Sequence, residues 1–214
     1  MEDIIICGSR KYSNVDIDKI VDSFETIVRH NMLVSNCGYG LRESTIQVMN
    51  SHVYKNYRSF SSINQWKKYY AHKAPSDGHI DRFYSYISGK NETKYISFPN
   101  NNIKAISRVI NDYDIKTKVV HPKCGLAYIA ECINKKIKPF LIGYSISDGT
   151  IKQHQYNNHD NLYPLHDHSG ETRLICELHQ KGLVDASLCL MTDDGLSEEF
   201  KPTEYAKERW SLND

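Results

Sequence analysis

Several features that would assign a chain at sight are missing from these 214 residues. Charge of one sign is not in excess: 27 Lys and Arg stand against 26 Asp and Glu, a formal net charge of +1. No global field therefore draws the chain to nucleic acid or an anionic membrane, and any recognition of phosphate has to be local. The six cysteines include no CxxC pair, which excludes the usual zinc ribbon and any tight disulfide framework. Cys7 and Cys189 fall inside apolar runs, the usage of reduced, buried thiols. The first apolar run, IIIC at 4–7, is too short for a secretion signal or a membrane span. The expectation is a cytoplasmic protein, at most peripheral to the inner membrane. Neither GxGxxG nor GxxxxGK[ST] occurs, and no internal repeat or low-complexity tract is present. What remains is one domain, 1–214, with a sizeable core.

Polar aromatic surface is plentiful, with fifteen tyrosines and ten histidines. Such side chains suit a polar, carbohydrate-like or nucleotide-like ligand. IIIC followed by GSRKYSN reads as a buried first strand ending in a Gly turn. DIDKIVDSF (16–24) has helical spacing, TIV (26–28) is a second strand running out at Arg29-His30-Asn31, and STIQVMN (44–50) is a third ending at Asn50. The aromatic, basic stretch 51–90 reads as helices and loops. KYISF (94–98) is a strand, 102–113 a helix, 119–136 a helix with Pro122 in its first turn, and PFLIGYS (139–145) a buried strand. The polar stretch 147–168 is a long loop whose core, 147–165, is expected to be a lid. ETRLICELHQKG (171–182) is a helix capped by Ser169, ASLCLMT (186–192) is the last strand, and the acidic tail from Asp193 has no legible element. Strands alternating with helices predict an α/β, Rossmann-like domain with a mainly parallel sheet, whose ligand rim lies at the carboxyl ends of its strands.

Three constellations compete for the chemistry. His166 and His168, with His154, His159, His121 and Cys124, lack the spacing of known zinc sites, and the triplets Asp16-Ile17-Asp18 and Asp112-Tyr113-Asp114 fall in or at the end of predicted helices, so no metal ligands are nominated. The turn at Gly8 and Ser9 can bring backbone amides to a phosphate, or be an ordinary strand-to-helix turn. CGSRKYS resembles the opening of the SLOG family of Rossmann-type nucleotide-related domains, over one strand and its turn. Asn31 and Asn50 sit at neighbouring strand ends, where an uncharged donor and acceptor can read a pyrimidine edge or a ribose, or form a turn.

The order of pieces resembles the bacterial sialyltransferases of glycosyltransferase family 42, CMP-sialic-acid-dependent enzymes of lipo-oligosaccharide synthesis. IIICGS is similar to their first strand and phosphate-side turn, ETIVRHN to their strand ending in R-x-N, and IQVMN to the next, ending in an Asn. CGLAYIAECINKKIKPFLIGYSIS is similar to their [ST]-G-V/L helix and following Gly-ended strand, and HSGETRL to their HS-x-x-T helix start. The resemblance spans residues 4 to about 192 and implies a GT-A-like sialyltransferase variant. It makes Gly8, Ser9, Asn31, Asn50, Cys124, Gly125, Gly143 and Tyr144 donor-binding residues and His168 the general base. Cys124 replaces the family's hydroxyl residue and Ser9 an Asn. The family's leaving-group tyrosine falls near Ser147, leaving Tyr144, Tyr156 and Tyr163 as substitutes. The implied partners are a CMP-sugar donor and a glycan or lipo-oligosaccharide acceptor, with no nucleic acid, no cofactor and no required metal; an oligomer is compatible with it. A neutral His168 would take the acceptor proton, while tyrosine hydroxyls, the helix start near Gly125, or Lys123 would meet the charge on the departing phosphate. The alternative is a non-catalytic, SLOG-like nucleotide-binding module.

Overall fold

The computed structural model describes residues 3–8, 17–31, 40, 42–51, 93–98, 103–144, 167–189, 191–192, 195–196 and 204–211. Ser9, the stretch 52–92, most of the loop 147–168 including the lid, Tyr156 and Tyr163 lie outside them. Six parallel strands form one sheet: β1 (Ile4–Cys7), β2 (Thr26–His30), β3 (Ile46–Asn50), β4 (Lys94–Phe98), β5 (Phe140–Ile142) and β6 (Asp185–Leu188), in the spatial order β4-β3-β2-β1-β5-β6. A strand buried on both faces has no polar side to alternate with, which is why IIIC is apolar throughout. Ile4 and Ile6 pack on one face and Ile5 and Cys7 on the other, each with at most 2% of its surface exposed.

Parallel neighbours need crossovers, and the described helices cover both faces of the sheet. Helix α1 (Ile17–Asp22) lies against Ile5, Cys7, Ile27 and Ile142 through Ile20 and Val21. Helices α2 (Ile103–Asp112), α3 (Cys124–Asn134) and α4 (His168–Gln180) cover the opposite face against Ile4, Ile6, Val28, Val48 and Leu141. The chain thus builds outward from β1 through β2, β3 and β4, then returns to the other side of β1 for β5 and β6. The reversal puts a crevice at the carboxyl ends of β1 and β5, where open α/β sheets take ligands.

Four sequence expectations are corrected. The helix expected over 119–136 begins only at Cys124. His121 adopts a left-handed φ of 52°, and a residue followed by proline is sterically turned from the helical region, so VVHP stays irregular and Pro122 precedes the helix. The cap of α4 is Asp167, whose carboxylate accepts from Gly170 N at 2.8 Å; Ser169 is inside the helix, accepting from Arg173. The strand expected over 186–192 ends at Leu188, because Cys189 N turns back to Ala186 O. Met191–Thr192 (β7) then pairs antiparallel with Gly195–Leu196 (β8). The tail holds α5 (Glu204–Trp210), whose Trp210 ring centroid lies 6.1 Å from that of Phe24 and 5.9 Å from that of Phe140. Arg209 stacks 4.3 Å over the Phe140 ring. Among the described residues, no helix is long and apolar enough to cross a membrane.

Candidate functional site at the sheet switch point

At the crevice the backbones of β1 and β5 touch. Gly8 N donates to Ile142 O at 2.7 Å, and a Cβ on Gly8 would stand 2.3 Å from Gly143 O. Gly143 itself takes φ 73°, turning the chain sharply off the strand. Glycine is needed at 8 for space and at 143 for conformation.

Beside this pair, β2 and β3 are latched at their ends. Asn31 takes φ 50°, which Asn tolerates better than most residues. Its Oδ1 accepts from Asn50 N at 2.9 Å, and its backbone carbonyl accepts from Gln47 Nε2 at 2.8 Å. Gln47 Oε1 in turn accepts from Ser44, whose hydroxyl accepts from the fully buried Arg29 at 3.1 Å. The R-x-N sequence is therefore a clasp: Arg29 and Asn31 secure the strand ends, and Asn31 turns its oxygen inward. The Asn31 side chain also hydrogen-bonds the Cys124 thiol, tying the clasp to α3.

The first turn of α3 faces the same rim, and no side chain caps it at Lys123. Its first amides carry the positive end of the helix dipole, and those of Cys124 and Gly125 donate to the Cys124 sulfur. His30 lies against this turn, its Nε2 3.3 Å from where a Cβ on Gly125 would be, so Gly125 leaves room for the ring. His30 Nδ1 is 3.1 Å from Cys7 O. A carbonyl only accepts, so Nδ1 carries the hydrogen and Nε2 presents a lone pair. Burial lowers the His30 pKa from 6.5 to about 4, despite the opposing effect of the Cys7 hydrogen bond. Burial raises the Cys124 thiol to about 11, with the Glu171 carboxylate adding to the rise. Tyr144 follows Gly143, and burial, then the neighbouring Cys189, Cys7, Cys124 and Glu171, hold its hydroxyl well above the ordinary value. Among the described residues, neither His30 Nε2 nor Tyr144 Oη, both buried, has a hydrogen-bond partner.

Helix α4 starts next to α3. Asp167 accepts from Val120 N at 3.1 Å as well as from its own helix, and the Glu171 carboxylate accepts from Lys123 N and pairs with Lys123 Nζ at 3.2 Å. Lys123, expected to face a phosphate, thus has a carboxylate partner. His168 is the first residue of α4, and its side chain lies outside the described residues.

The rim thus gathers seven of the nominated residues, Gly8, Asn31, Asn50, Cys124, Gly125, Gly143 and Tyr144, from four strand ends and a helix start. The backbone of His168 begins the adjoining helix. His30 and Glu171 were not nominated from sequence. Period-two alternation was the available signal for His30: if Arg29 faces α1, residue 30 must face α3. The carboxylates of the two DxD triplets that are described have local partners: Asp18 accepts from Gly40 N, Asp112 pairs with Arg108, and Asp114 with Lys116. A separate cleft of about 550 Å³ runs along α4, lined by Lys116, Thr117, Arg173 and Lys181 among others, and includes none of the nominated residues. No protein-family model and no curated protein matches the chain.

Proposed function

We propose that the protein is a CMP-sugar-dependent glycosyltransferase of sialyltransferase type, moving a 2-keto sugar acid to a glycan acceptor with inversion. One observation carries the reading. Residues up to 136 positions apart, Gly8 to Tyr144, nominated together from their order in the chain, meet on one rim at the switch point of a parallel sheet. An uncapped helix start at that rim suits the phosphate of a nucleotide sugar. In the reaction, the bond from C2 of the sugar to the phosphate oxygen breaks and CMP departs with its electron pair. The acceptor oxygen bonds to C2, and its proton passes to His168. The GT-A-like variant of the fold, closure of 147–165 over the donor, tyrosine assistance from Tyr144, Tyr156 or Tyr163, and work in the cytoplasm at the inner membrane belong to the same reading.

The test is CMP release from CMP-sialic acid and CMP-Kdo, with and without glycan acceptors, by the wild type and His168→Ala. Removing a positioned base should lower transfer about 10²–10⁴-fold and leave CMP affinity nearly unchanged. Wild-type turnover in the variant overturns the base assignment. CMP binding without turnover of any donor points instead to a non-catalytic nucleotide-binding module, and no CMP binding sinks the reading.

A further inference from the structure

Unpartnered buried polar atoms are uncommon because each loses its hydrogen bonds to water without replacement. Two of those among the described residues, His30 Nε2 and Tyr144 Oη, lie at the same rim: the imidazole lies against Gly125 in the first turn of α3, and Tyr144 follows Gly143 and packs against the core cluster that holds Cys124. Their chemistry is complementary to the turn. The helix start turns the positive end of its dipole to an anion; His30, with Nδ1 committed to Cys7 O, offers only an acceptor; Tyr144 offers either. A ligand that satisfies all three carries a negative group and, within a few bonds of it, a hydroxyl able to donate. The exocyclic amine of a nucleobase is also a donor, but it lies at the far end of a nucleotide from its phosphate. A sugar hydroxyl does not.

We infer that His30 Nε2 and Tyr144 Oη form a hydroxyl-reading pair beside the α3 N-terminus, which selects a phosphorylated polyol by accepting a hydrogen bond from one of its sugar hydroxyls. The inference uses the cytidine reading above only for its first probe. His30 is then a specificity residue with no part in proton transfer, and the ligand's hydroxyl is the partner of its Nε2 and of the Tyr144 hydroxyl.

The experiment is calorimetric titration of the full chain with CMP, 2′-deoxy-CMP and 3′-deoxy-CMP, using the wild type, His30→Phe and Tyr144→Phe, with a thermal melt of each apo protein. The wild type should prefer CMP to one deoxy analogue by about tenfold or more, and His30→Phe should bind the two alike. Tyr144→Phe, which removes one oxygen, should bind CMP several-fold more weakly while its apo form melts at or above the wild-type temperature. A preference that survives in both variants overturns the inference, as does an apo Tyr144→Phe that melts well below wild type, which would mean that the hydroxyl is paired within the protein. If CMP does not bind, the same titrations use UMP, AMP and ribose 5-phosphate. A His30-dependent hydroxyl preference among these supports the inference and overturns the cytidine reading, whereas no binding by any probe overturns both.

Discussion

Adding one methyl group at Gly8 tests the crevice itself. In Gly8→Ala the new Cβ would stand 2.3 Å from Gly143 O, 2.6 Å from Gly143 C and 2.9 Å from Tyr144 N. Carbon needs roughly 3.5 Å from such atoms, so the ends of β1 and β5 must separate by about 1 Å. The obstacle is backbone, which cannot swing aside as a side chain would. Overpacking of this kind costs about 3 kcal/mol, near the top of its usual range. Separation also breaks the 2.7 Å bond from Gly8 N to Ile142 O, worth about 1 kcal/mol. The sum, about 4 kcal/mol, corresponds to a fall of about 8–16 °C in Tm for a chain of this size. Gly182→Ala is the control: its φ is 70° but nothing lies within 4 Å of the added Cβ, so the cost is conformational alone, about 1 kcal/mol and about 2–4 °C. Thermal melts and urea unfolding followed by tryptophan fluorescence measure both variants. A Gly8→Ala protein that melts within about 2 °C of wild type would refute the contact and the crevice built on it.

Acid should find His30: its pKa of about 4 in the fold against 6.5 unfolded means that the unfolded chain binds the extra proton. Its contribution is therefore present above pH 6.5 and lost as the pH falls through 4, at most about 3 kcal/mol; urea midpoints across that range should fall more steeply for wild type than for His30→Gln. Alkali should find the thiols of Cys7 and Cys124, each raised by burial from 9.0 to about 11. Their contribution is present below pH 9 and lost as the pH rises through 11, about 2 to 3 kcal/mol apiece, and a disulfide reagent at pH 8 should modify neither until urea is added. Transfer activity should survive EDTA, since tyrosine hydroxyls and the α3 start are proposed to meet the phosphate charge; complete loss restored by Mg²⁺ or Mn²⁺ would place an essential ion in the site.

Strands were the most legible elements: burial on both faces leaves the unbroken apolar run IIIC, which matches β1 end for end, and KYISF matches the edge strand β4. Helix boundaries were less legible where a local steric event overrides periodicity. His121 before Pro122 delays α3, and Asp167 outcompetes Ser169 as the cap of α4 because its carboxylate can also hold Val120 N. Helix α5 was missed because its value lies in what it covers: Trp210 and Arg209 have meaning only beside Phe24 and Phe140, residues far away in the chain. At the rim, residue identity was readable and orientation was not. Asn31 looks like a ligand reader in sequence, yet its oxygen is occupied by Asn50 N, while the neighbouring His30, which appears in sequence as the spacer of an R-x-N triplet, has its Nε2 unpaired among the described residues. A hydrogen bond between strands decides that difference, and no spacing rule encodes it.

The central claim is that the carboxyl rim at the switch point, between β1, β2, β5 and the start of α3, holds the nucleotide. Amide chemical-shift mapping of the full chain during titration with CMP tests it most directly. The claim predicts saturable shifts largest at Gly8, Asn31, Cys124, Gly125 and Tyr144, with Lys116, Thr117, Arg173 and Lys181 unmoved. Shifts confined to those last four residues, or none at millimolar CMP, would contradict it.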